Sequence, residues 1–162
     1  MKELSEQEAF NKAAALCAGA EHCRREIALK LERWQVTPET AEKILNRLVE
    51  ERYIDEGRYA RFYAHDKLRY NQWGRMKIAQ GLRLKQISKE DIQKALDDLD
   101  DEEYHTIITG VIKAKQRTVK GRNDYERKMK ILRYAAGKGF EPGIVQSLIH
   151  LDDEDAAPNE DW

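Results

Sequence analysis

Apolar positions recur along this chain at helical spacing, and the whole pattern then returns about fifty residues later. Ile27, Leu31 and Trp34 put one apolar face on a helix over about 24–34. Thr37-Pro38-Glu39-Thr40 follows and reads as an N-cap, a proline at the first helical position and a new helix. Ala41, Ile44-Leu45 and Leu48 are its core-facing residues. Shifted by 51, the positions of Ile27, Leu31, Val36, Ala41, Leu45 and Leu48 are filled by Ile78, Leu82, Ile87, Ile92, Leu96 and Leu99. Shifted by a further 53, they are filled more faintly by Ile131, Ala135, Phe140, Val145 and Ile149. The turns correspond too: Val36-Thr37-Pro38, Ile87-Ser88-Lys89 and Phe140-Glu141-Pro142. Ahead of the first copy, Ala9, Lys12-Ala13 and Leu16-Cys17 mark a weaker helix from about Glu6, with Gly19 as its stop.

The stretch from Tyr53 to Leu68 joins the first copy to the second. Asp55 is placed to N-cap a long helix, and Glu56 adds negative charge at the positive end of its dipole. The pattern predicts an all-α fold, an elongated array of three tandem three-helix repeats. Their predicted extents are 1–54, 55–101 and 102–151, followed by an acidic tail over 152–162. The tail has too little apolar surface to order itself and is expected to be disordered, with Trp162 at a frayed end.

Composition agrees with narrow apolar stripes and broad wet faces: 36% of the residues are charged and 41% hydrophobic. No apolar run approaches the roughly 18 residues a membrane span needs, and the first residues lack a signal-peptide core. A cytoplasmic protein with no membrane association is therefore expected. The net charge of −1 hides a segregation. Residues 58–94 hold ten Lys/Arg against three Asp/Glu, and residues 111–140 hold ten against two. Acidic runs at 97–103 and from Asp152 onward lie outside those blocks, so local positive fields can exist on a nearly neutral chain.

No enzyme signature is present: there is no Gly-rich phosphate loop, no His-Glu-x-x-His and no nucleophile elbow. His22, His65, His105 and His150 are scattered. Cys17 and Cys23 have no second ligand pair at zinc-like spacing. No catalytic residue, metal ligand or cofactor is expected. The basic residues say more. Arg58, Arg61, His65 and Arg69 share a helix face, and Arg75, Lys77, Arg83 and Lys85 surround the Ile78/Leu82 stripe. Lys113, Arg117 and Lys120 form another stripe, with Lys130 beyond it. The basic helices have few acidic partners at i,i+4, so these faces suit a polyanion or an acidic protein groove. Arg58, Arg61, Arg69, Arg75, Lys77, Arg83, Lys85, Lys113, Arg117 and Lys130 are the contact candidates. Tyr63, Tyr70 and Trp73 have the rings to stack on bases, although core packing would equally employ the tyrosines.

The repeat and its linker resemble the RecX family of recombination regulators. Tyr53-Ile54-Asp55-Glu56-x-Arg58-Tyr59-Ala60 is similar to that family's linker pattern. Glu26-Ile27-x-x-Lys30-Leu31, Gly74-x-x-Lys77-Ile78-x-x-x-Leu82-x-x-Lys85-x-Ile87 and Lys138-Gly139-Phe140 resemble its first, second and third repeats. The likeness covers about Ala9 to Leu151. Gln35 and Gln86 stand where the family often has glycine, so those two turns are expected to be less sharp. Cys23 stands where serine is common, which predicts a weaker cap. The resemblance implies a non-enzymatic protein that binds the RecA filament on DNA, and a monomer is expected. It would lie in the filament groove and modulate strand exchange, ATP hydrolysis and coprotease activity, with single- or double-stranded DNA as a further partner of the basic faces.

Two other readings are weighed against it. A helix-turn-helix transcription regulator fits the spacing from Ile27 to Ala41, but a winged version needs a β-hairpin after Tyr53-Ile54, where the chain reads as helix. A metal-dependent hydrolase or nuclease would use the carboxylates of 97–103, which adjoin in sequence without converging partners.

Overall fold

The computed structural model describes residues 3–149, so the acidic tail, His150 and Trp162 lie outside the described residues. Nine α-helices and no strand make up the described chain. The first repeat holds α1 (Glu6–Gly19), α2 (Arg24–Arg33) and α3 (Pro38–Glu50). The second holds α4 (Glu56–Asn71), α5 (Arg75–Leu84) and α6 (Lys89–Asp97). The third holds α7 (Asp101–Thr118), α8 (Asp124–Gly137) and α9 (Pro142–Leu148).

Helix starts are set by short polar side chains that accept the first free N–H groups. Ser5 and Glu8 form a reciprocal capping box on α1. The Thr37 hydroxyl accepts from Thr40 N–H, Asp55 from Arg58 N–H at 2.9 Å, Ser88 from Asp91 N–H and Asp100 from Glu103 N–H. Cys23 is fully buried, and two carboxylates serve the start of α2: Glu26 accepts Cys23 N–H at 3.2 Å and Glu56 accepts Arg24 N–H at 3.3 Å. Glu56 thus serves a helix other than its own. Burial drives its carboxyl above the usual range, and the Arg24 amide opposes that.

The turn that ends the middle helix is the same in all three repeats. Val36 N–H reaches Leu31 C=O at 3.0 Å, Ile87 reaches Leu82 at 3.1 Å and Phe140 reaches Ala135 at 3.1 Å. Each closes a helix end through one left-handed residue. That residue is Gly139 in the third copy (φ 91°), but Gln35 and Gln86 in the first two, both at φ 62°. The turns at Gln35 and Gln86 are therefore as sharp as the glycine one, contrary to the expectation from sequence. The closing hydrogen bond and the buried apolar residues beside it hold the glutamines in a region that an L-residue enters at a cost of about 1–2 kcal/mol. Arg52 (φ 62°) ends α3 in the same way, with Tyr53 N–H on Leu48 C=O at 2.9 Å.

Most of the repeat positions are core positions, with Val36, Ala41, Leu96 and Ile149 half-buried. Ile27, Leu31, Ile78, Leu82 and Ile131 are fully buried, and Ala135, Phe140 and Val145 are at most 1% exposed. Burying each large apolar side chain is worth about 1.5–3 kcal/mol. By packing, the described chain forms two compact units, 3–63 with 82–95 and 64–81 with 96–149. Packing units and sequence repeats therefore do not coincide, because the second repeat is divided between the two.

In the first unit Phe10, Ile27, Leu31, Ile44, Leu45, Leu48 and Ile54 are the main core side chains. In the second, Tyr104 meets Phe140 edge to face at 5.8 Å. There the start of α5 lies directly on the α8 turn: Gly74 N–H donates to Lys138 C=O at 2.7 Å and Met76 N–H to Gly139 C=O at 3.0 Å. A Cβ on Gly74 would stand 2.4 Å from the Gly139 carbonyl carbon. Only a residue without a side chain permits this approach.

Candidate interaction surfaces

The linker motif is structural throughout. Ile54, Tyr59 and Ala60 are buried and Asp55 is the α4 cap. Arg58 donates to Glu21 at 2.6 Å and to the carbonyls of Arg52 and Tyr53 at 3.3 and 3.4 Å. It clamps the free end of α3, where the last carbonyls have no helical partner.

Several other candidate cations are likewise held inside their unit. Arg69 makes a two-pronged pair with Glu103 at 3.0 and 3.1 Å. Arg75 bonds Glu141 at 2.9 Å and Asp101 at 3.1 Å, with its guanidinium 3.8 Å over the Tyr104 ring. Tyr104 also receives Arg75 N–H at 3.0 Å and donates to Glu141; burial and that carboxylate push its phenol well above its ordinary value. Lys85 bonds Glu26 at 3.2 Å. Burial alone would raise the Glu26 carboxyl, but the Cys23 amide and Lys85 together lower it. Lys130 bonds Lys120 C=O at 2.6 Å and lies 3.7 Å from Glu126.

Arg61, Arg83, Lys113 and Arg117 differ: all are exposed and make no ion pair with another described residue. Lys77 is held on the Trp73 ring at 4.7 Å. Arg61 also borders an open groove of about 600 Å³ in the first unit, lined by Arg52, Asp55, Arg58, Asp91 and Lys94. Arg52 and Lys94 carry no sequence signal for this role, because only the three-helix geometry brings them beside Arg61.

The acidic run does not converge on a cation site. Asp98 meets His65 at 3.0 Å, Asp100 is a cap, and Asp101 and Glu103 bind different arginines. Among the described residues no three His, Cys, Asp or Glu side chains stand together as a metal site. No described helix is long and apolar enough to cross a membrane. The region after Tyr53-Ile54 is helix α4, so the wing of a winged helix-turn-helix is not there.

These features define a helical tandem-repeat protein with cationic faces and a structural linker motif. Residues 9–48, 55–96 and 101–149 match the first, second and third three-helix domains of RecX. The chain belongs to the RecX family. It is 30% identical to Regulatory protein RecX of Chlorobium phaeobacteroides over 149 residues, covering 92% of this chain and 96% of that one. With Regulatory protein RecX of Streptomyces coelicolor the identity is 25% over 142 residues, covering 85% and 76%. Two solved structures share the fold. The crystal structure of RecX from Lactobacillus salivarius has a TM-score of 0.79 at 19% identity, covering 88% of this chain and 93% of that one. The crystal structure of regulatory protein RecX has a TM-score of 0.77 at 22% identity, covering 88% and 72%.

Proposed function

We propose that this protein is a monomeric, cytoplasmic regulator that binds the RecA filament on DNA and modulates the recombinase without catalysis of its own. The observation that carries this reading is the run of three RecX domains over most of the chain. The unpaired cations refine it. Arg61, Arg83, Lys113 and Arg117 are free to meet acidic filament surface or DNA, whereas Arg58, Arg69, Arg75, Lys85 and Lys130 have internal partners. Many weak contacts made together by one chain add up to a strong attachment.

The test is RecA ATP hydrolysis on single-stranded DNA with increasing amounts of this protein. The expected result is a dose-dependent change in hydrolysis, weakened when Arg61→Glu and Arg83→Glu are combined in a folded variant. Hydrolysis unaltered at saturating protein would overturn the proposal.

A further inference from the structure

Four lysines of the second unit are held differently from the arginines. Lys67 and Lys77 place their ammonium groups 4.8 and 4.7 Å from the centroid of the Trp73 ring. Lys115 and Lys138 place theirs 4.6 and 5.8 Å from that of Tyr134. The two rings belong to one patch. Lys138 Nζ donates to Asn71 C=O at 3.4 Å, two residues before Trp73, and Lys138 C=O accepts from Gly74 N–H at 2.7 Å, one residue after it. Lys77, Lys115 and Lys138 make no ion pair with a described carboxylate.

A carboxylate fixes a cation and cancels its charge. An aromatic face fixes it and leaves the charge in place. Arg58 and Arg69 are fixed the first way, and Lys77, Lys115 and Lys138 the second. The patch is thus a prearranged set of positive charges interleaved with rings, and Tyr134 remains 42% exposed.

We propose that this patch binds single-stranded nucleic acid, with Lys77, Lys115 and Lys138 on successive phosphates and Tyr134 available to an unstacked base. An acidic polypeptide would satisfy the charges but gain nothing from the rings. A duplex keeps its bases stacked and out of reach of the tyrosine. A strand uses both features, in the manner of sequence-blind sites that combine a basic track with stacking platforms. The proposal deepens the DNA part of the function above by giving it a surface, and it needs no recombinase to be tested.

The experiment is fluorescence anisotropy of a labelled oligothymidine titrated with the full chain across a salt series, recombinase absent. The expected result is salt-dependent binding that is tighter for the oligothymidine than for a duplex or for polyglutamate. Removing one cation that neutralises a phosphate should make the log–log salt slope shallower by about 0.7. The combination Lys77→Gln with Lys138→Gln should therefore reduce the slope by about 1.4, whereas Lys77→Arg with Lys138→Arg should retain it. Tyr134→Ala should lower affinity with little change in slope. Absence of binding by the wild-type chain overturns the proposal whatever the variants do. So does an unchanged slope in a folded glutamine variant, or preference for duplex or polyglutamate. An unaltered RecA ATPase beside intact oligothymidine binding would refute the filament reading alone.

Discussion

The two left-handed glutamines offer a direct measure of what the shared turn costs. Gln35 and Gln86 both sit at φ 62°, are exposed and belong to the first compact unit. Replacing each by glycine removes the clash between Cβ and carbonyl, worth about 1–2 kcal/mol. It also gives the unfolded chain more freedom, a loss of about 0.4–1 kcal/mol. The balance is a gain of about 0.5–1 kcal/mol per turn. The double variant Gln35→Gly, Gln86→Gly should then be more stable by about 1–2 kcal/mol, with a Tm higher by about 5 °C for a chain of this size. Urea unfolding followed by far-UV circular dichroism should show a higher midpoint and an unchanged m value. Gly139→Ala is the matching control in the opposite direction, since its Cβ would also stand 2.3 Å from Lys77 Cβ. A double variant no more stable than the parent would refute the argument, because the turns would then hold no removable strain.

Gly74→Ala should destabilise the second unit by about 1–3 kcal/mol through overpacking against the Gly139 backbone, seen as a lower urea midpoint. Glu56→Gln tests the buried carboxyl. Burial raises its folded-state pKa, so its contribution to stability is fully present below the ordinary carboxylate range and is lost as pH rises through the raised value. The glutamine variant should be more stable than the parent near neutral pH, with the difference closing as pH falls through that range. A gap that stays constant with pH would contradict it.

Helix positions were legible in the sequence because their signals are local. The Thr37-Pro38 start and the spacing of Ile27, Leu31 and Leu48 depend on neighbours within one or two turns. The left-handed glutamines were not legible, since glutamine has no bias toward that conformation and the turn is enforced by tertiary packing. The role of the arginines was hidden for a related reason. Partners sought at i,i+4 are few, but Arg58 finds Glu21 37 residues away, Arg69 finds Glu103 at 34 and Arg75 finds Glu141 at 66. Charge density along a segment cannot separate a cation neutralised across the fold, such as Arg75, from one left in solvent, such as Arg83.

The closeness of Gly74 to Gly139 bears on how such a chain can be rearranged. Fifty-one positions earlier, the place of Gly74 is taken by Cys23, whose side chain is itself fully enclosed. The copies are thus not interchangeable at the start of their middle helix. Transposing the opening module into the middle slot would drive a sulfur atom into a main-chain joint. The order of modules is written into single atoms at their seams, and lengthening or shuffling the series by gene duplication demands a matching edit at each new joint.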